Sequence, residues 1–133
     1  VRLGYMIGPK ALLAEVDKVR PPYNISVLNT ECALFALEHT EVFAAQAKDL
    51  REQRTRLLKE LAAMPGVTPF PSEANMILAR VPDAAKTFDG LKAHGVLIKN
   101  ISKMHPLLAN CLRLTVGTAA ENDQLLAALK VSL

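Results

Sequence analysis

Arg113 sits inside LRLTV (residues 112–116), an alternating apolar run that reads as a strand buried on at least one face. A guanidinium keeps its charge, so in such a run it must face water, a carboxylate of the protein or the anion of a ligand. Its rigid fork of donors matches a phosphate or carboxylate with two bonds at once, so the chemistry it offers is anion capture. A structural ion pair or a plainly exposed strand face would account for the same residue. Arg2 in VRLGY and Lys99 in LIKN raise the same question. Lys99 stands at a strand end, where sites are commonly built, whereas Arg2 lies so near the first residue that a plain surface role fits it more easily.

Other chemistries lack their residues. His39, His94 and His105 are far apart and have no cysteine or carboxylate company at ligand spacing, so they read as surface or capping residues, and no metal site is expected. There is no G-x-S-x-G, and the six glycines are spread singly, which leaves no phosphate-cradling loop. Cys32 (in ECALFAL) and Cys111 (in NCLRL) have apolar neighbours and form no C-x-x-C, so buried, reduced thiols and a cytoplasmic home are expected. The 16 Lys+Arg against 13 Asp+Glu are scattered, and their densest stretch, residues 48–59, is diluted by Asp49 and Glu52. With no Trp and few other aromatics to stack on bases, nucleic-acid binding is not expected.

The 133 residues allow one domain of ordinary size; half are hydrophobic and 22% charged, which excludes disorder, collagen and coiled coil. No apolar run approaches the ~18 residues of a membrane span. Val1 opens directly into a strand-like run, as a piece of a longer chain would.

Residues 1–7 are β-rich and predict a strand closed by Gly8-Pro9. A helix is predicted from Lys10 to about Val19 with Pro9 in its first turn, ended by Pro21-Pro22. Ser26 or Asn29 caps the next helix, through ECALFALEH. Thr40 caps a long helix over residues 41–64, whose stripe is Val42, Phe43, Ala47, Leu50, Leu57, Leu58 and Leu61, stopped by Pro65-Gly66. Strands follow at 67–70, 75–80, 96–99 and 112–116, with helices at 84–94 and 119–131 and a loop at 101–110. The order predicts an α+β fold, helices packed on a small, mostly antiparallel sheet.

The ordered motifs VRLGYMIG, PPYNIS, PSEANMILAR, GVLIKN and CLRLTVGTAAEN resemble the C-terminal part of the histidinol-phosphate aminotransferase family, over essentially the whole chain. The resemblance implies a fold type I, pyridoxal 5′-phosphate-dependent enzyme that moves an amino group between histidinol phosphate and 2-oxoglutarate or glutamate. It implies a homodimer for the intact enzyme; the cysteines and the composition, as above, predict a cytoplasmic protein with no nucleic-acid or membrane partner. Residues 1–40 would be the end of the large cofactor-binding domain with linking helices, and residues 41–133 the small domain with its long spine helix. By the same resemblance Arg2 contacts the cofactor phosphate and Arg113 grips the anionic end of the substrate. Lys99 assists it, standing where many members have arginine. Asn75, in the family's S-x-A-N turn, reads as structural first and cleft-lining second.

The family's Schiff-base lysine lies in a run like S-K-x-x-x-x-A-G-x-R, and counting back from Arg2 passes beyond Val1. No catalytic residue is therefore expected within this chain, which alone would not turn over. Other readings remain: an aromatic aminotransferase or a threonine-phosphate decarboxylase of the same fold, or a stand-alone small-molecule-binding α+β module.

Overall fold

The computed structural model describes residues 2–133. Contacts divide the chain into two compact units, Val1–Ala45 and Gln46–Leu133.

The first unit contains α1 (Lys10–Val19), α2 (Val27–Glu38) and the start of α3 (Thr40–Ala62). Pro9 lies at the N-cap of α1, just ahead of its predicted place in the first turn, and its carbonyl accepts the Leu13 N–H at 3.0 Å. Ser26 caps α2, its hydroxyl accepting from Asn29 N. The strand expected over residues 1–7 does not form at residues 2–7. A strand needs a neighbour for its backbone groups, and among the described residues every sheet partner comes from the second unit's own chain. Neither α1 nor α2 buries a single residue, and Tyr5, Val19 and Tyr23 are almost fully exposed. Cys32, expected to be buried, is exposed for that reason, whereas Cys111 is buried; both are free. Thr40 is the first residue of α3 rather than its cap.

The second unit is a four-stranded, fully antiparallel sheet ordered β1-β2-β4-β3, from β1 (Thr68–Pro69), β2 (Met76–Arg80), β3 (Lys99–Asn100) and β4 (Cys111–Thr115). Its core joins the C-terminal half of α3 with α4 (Ala84–Ala93) and α5 (Ala119–Ser132) on the sheet. Cross-strand pairs Ile77–Leu114 and Ala79–Leu112 bury one face against Leu57, Leu61, Leu91, Leu125 and Leu129. Only Leu57 and Leu61 of the α3 stripe are fully buried, while Val42 and Phe43, in the first unit, are nearly half exposed.

Pro69 falls on edge strand β1, where a missing N–H costs no ladder bond. Asp83 caps α4 by accepting the N–H groups of Ala85 and Lys86, and Gly95 ends the turn after it at φ +77°. The expected strand at 96–99 shrinks to Lys99–Asn100, because the Val96 N–H is tied back to Leu91 O at 2.9 Å and so to the end of α4. The 101–110 loop contains one short 3-10 turn, Pro106–Leu108.

Candidate functional site

The pleat sends alternate side chains of β4 to opposite faces. Leu112 and Leu114 enter the core, so Arg113 and Thr115 stand exposed on the face away from it. Register puts Arg113 opposite Leu78 of β2 on one side and opposite Lys99 of β3 on the other. The two cations that the sequence singles out in this unit are thus direct cross-strand neighbours. Like charges placed so destabilise a sheet by roughly 0.2–1 kcal/mol. Among the described residues neither forms an ion pair or a side-chain hydrogen bond. No carboxylate among the described residues pairs with Arg113, which stands with Lys99 on an exposed strand face.

Arg80, on the same face, shows what a structurally employed arginine does here. Its Nε donates to Ala109 O at 3.1 Å, its Nη2 donates to Leu107 O at 2.7 Å, and it lies 5.5 Å from the centre of the Phe70 ring. Arg113 has no such duties.

The rest of CLRLTVGTAAEN is accounted for by folding. Thr118 and Glu121 form a capping box at the start of α5. The Thr118 backbone N–H and then its hydroxyl donate to the Glu121 carboxylate and hold its pKa below the ordinary carboxylate range. Asn122, 1% exposed, accepts from Gly117 N at 3.0 Å and donates to Gly117 O at 2.9 Å and Gln53 Oε1 at 3.1 Å. A Cβ on Gly117 would meet Glu121 Oε2 at 2.6 Å. Arg56 of α3 holds Asp123, whose hydrogen bond raises the guanidinium's pKa. Of the charged residues in this motif, only Arg113 has no partner among the described residues.

Asn75 is exposed, and its contribution is its backbone carbonyl, which accepts Val116 N at 2.9 Å. The turn before it is closed by the Ser72 hydroxyl, which donates to Met76 O at 2.5 Å and accepts from Ala74 N at 3.1 Å. Arg54, 12% exposed, fastens that turn to α3 through Glu73 Oε2 at 2.5 Å and Ala74 O at 3.3 Å. The Arg54–Glu73 and Gln53–Asn122 contacts escape sequence reading because their partners lie 19 and 69 positions apart.

Arg2, in the first unit, is exposed at φ 60° and makes no ion pair among the described residues. The three histidines are cap residues: His39 ends α2, His94 ends α4 with Nδ1 2.8 Å from Gly90 O, and His105 opens the 3-10 turn. No group of three or more His, Cys, Asp or Glu could hold a metal among the described residues. No helix among them is long and apolar enough to cross a membrane. The described residues do not by themselves fit around pyridoxal phosphate. Desolvation is one way a Schiff-base lysine is activated, and every lysine among the described residues is exposed.

Comparison with known proteins places these features. The profile of the family "aminotransferase class I and II" matches residues 1–129. A histidinol-phosphate aminotransferase of Polaromonas naphthalenivorans is 75% identical over the whole chain, which spans 36% of that relative's length. Among solved structures, a putative aminotransferase of Burkholderia pseudomallei superimposes with TM-score 0.78 at 28% identity, covering 93% of this chain and 38% of that one. An L-threonine-O-3-phosphate decarboxylase of Porphyromonas gingivalis gives TM-score 0.78 at 23% identity, over 94% of this chain and 39% of that one. The fold is thus shared by enzymes of different reaction type.

Proposed function

This chain belongs to the aminotransferase class I and II family, and from that membership we propose that the whole protein is a pyridoxal-phosphate-dependent aminotransferase acting on histidinol phosphate and 2-oxoglutarate or glutamate. The observation that carries the reading is Arg113, without a partner among the described residues, opposite Lys99 on an exposed sheet face. Two cations held side by side suit a phosphate monoester in one half-reaction and a carboxylate in the other. Arg113 supplies the two-bond grip and Lys99 a second positive charge. Pyridoxal phosphate, held by the whole protein, would supply the electron sink for the carbanion chemistry. Arg2 is assigned to the cofactor phosphate, consistent with its exposure and with its having no ion pair among the described residues.

Residues 1–40 are assigned to the large cofactor-binding domain and residues 41–133 to the small domain. The exposed apolar side chains of α1 and α2, with none buried, support the first assignment, since such a surface is ordinarily covered. The whole enzyme is assigned to the cytoplasm as a homodimer, with two free cysteines in keeping with a reducing compartment.

The test is amino transfer by the purified whole protein supplied with pyridoxal phosphate, histidinol phosphate and 2-oxoglutarate, read as glutamate formed. Glutamate formation supports the reading. Release of carbon dioxide from threonine phosphate without amino transfer would favour the decarboxylase that shares the fold.

A further inference from the structure

We propose that Asn100 is a positioning residue that holds Lys99 opposite Arg113, and so keeps the anion site assembled when no anion is bound. The inference rests on the reading of that pair as an anion site. β3 is two residues long and, among the described residues, lies at the edge of the sheet, paired through Lys99–Arg113 and Asn100–Leu112. One of those two pairs is a like-charge pair, which pushes the strand off the sheet. A ladder this short needs another tether at that end.

Asn100 supplies it from the opposite face of the strand. Its Nδ2 donates to Ala84 O at 3.2 Å, tying β3 to the first residue of α4. Its Oδ1 accepts the Ser102 N–H at 3.0 Å, which turns the chain immediately after the strand. The turn is closed on β4, where Cys111 O accepts both Ile101 N at 3.2 Å and Ser102 Oγ at 3.3 Å. Each bond fixes the backbone flanking Lys99 and none touches the Lys99 ammonium, so Asn100 acts on the site through Lys99 alone.

The experiment uses the whole enzyme and a double-mutant cycle. Lys99→Met should raise the KM of both anionic substrates about tenfold or more, as for a lost charge-assisted contact. Asn100→Ala should raise it by a similar factor, and the doubly substituted enzyme should be no worse than Lys99→Met. A purely structural role would instead multiply the two effects, and that result, or an unchanged KM in Asn100→Ala, would overturn the proposal. Ser102→Ala, which removes only the hydroxyl bond to Cys111, is the milder variant should Asn100→Ala fold poorly. It should raise KM by a smaller factor, again with no additional effect on top of Lys99→Met, and multiplied effects would count against the proposal.

A placement readout separates failure of the tether from failure of the anion site. Cysteines at 99 and 113 (Lys99→Cys with Arg113→Cys) should close a disulfide under mild oxidation, more slowly once Asn100→Ala is added. Closure at an unchanged rate contradicts the tether. Slowed closure together with an unchanged KM in Lys99→Met contradicts the anion site and removes the proposal's basis.

Discussion

Lys99 and Arg113 are directly opposed on neighbouring antiparallel strands, both exposed and both without an acidic partner among the described residues. On the same face Arg80 is tied to two carbonyls and an aromatic ring. A sheet that employs one arginine fully and leaves the next beside a lysine has placed a net cost there, which a bound anion would reverse.

Arg113→Ala should therefore leave folding nearly untouched. We expect a stability change within about 0.5 kcal/mol, as for a surface substitution, and relief of the Lys99 repulsion could make it slightly favourable. Activity of the whole enzyme should fall by about 2–5 kcal/mol in kcat/KM for both amino donor and acceptor. Arg113→Lys should restore only part of it, since the fork geometry is lost. Thermal melts alongside steady-state kinetics check both halves, and a variant that unfolds would return Arg113 to a structural role.

Asn122→Ala should be the contrasting case. The buried amide satisfies both backbone groups of Gly117 and reaches Gln53, so truncation leaves polar groups without partners at about 1–3 kcal/mol each. Denaturant unfolding should show the loss.

The capping box gives a pH dependence of known sign. Glu121 has a folded-state pKa below its ordinary value, so between the two the unfolded state binds more protons and stability rises with pH. Its contribution is complete above the ordinary carboxylate pKa and is lost as pH falls through the depressed one. Glu121→Gln should flatten that part of the acid limb in pH-dependent melts, and an unchanged acid limb would contradict the assignment.

Arg2→Ala in the whole enzyme should raise the cofactor's dissociation constant about ten- to hundredfold, while the substrates' KM values change little, as for loss of one charge-assisted contact. Cofactor titration followed by absorbance measures it. Equal changes in both would place Arg2 elsewhere.

Most of the helices and the sheet's central strands were legible from caps, breakers and periodicity: Pro21-Pro22 after α1, Ser26 before α2, Gly95 after α4, the alternation of LRLTV. Residues 2–7 form no strand despite their β-rich composition, which makes a strand only where a neighbour accepts its hydrogen bonds. Cys32 is exposed for a related reason, since apolar neighbours say that a surface prefers cover and not which residues cover it. Arg113 and Lys99 were each visible as cations in apolar runs. Their opposition was not, because it depends on how residues 101–110 turn, and that turn is set by Asn100, Ser102 and Arg80 acting together.

Inhibition by inorganic phosphate tests the anion site most directly. In the whole enzyme, phosphate should compete with histidinol phosphate, and Arg113→Ala should raise its inhibition constant about tenfold or more, with a smaller rise for Lys99→Met. An inhibition constant unchanged by both substitutions would contradict the assignment of this pair to the substrate's anion.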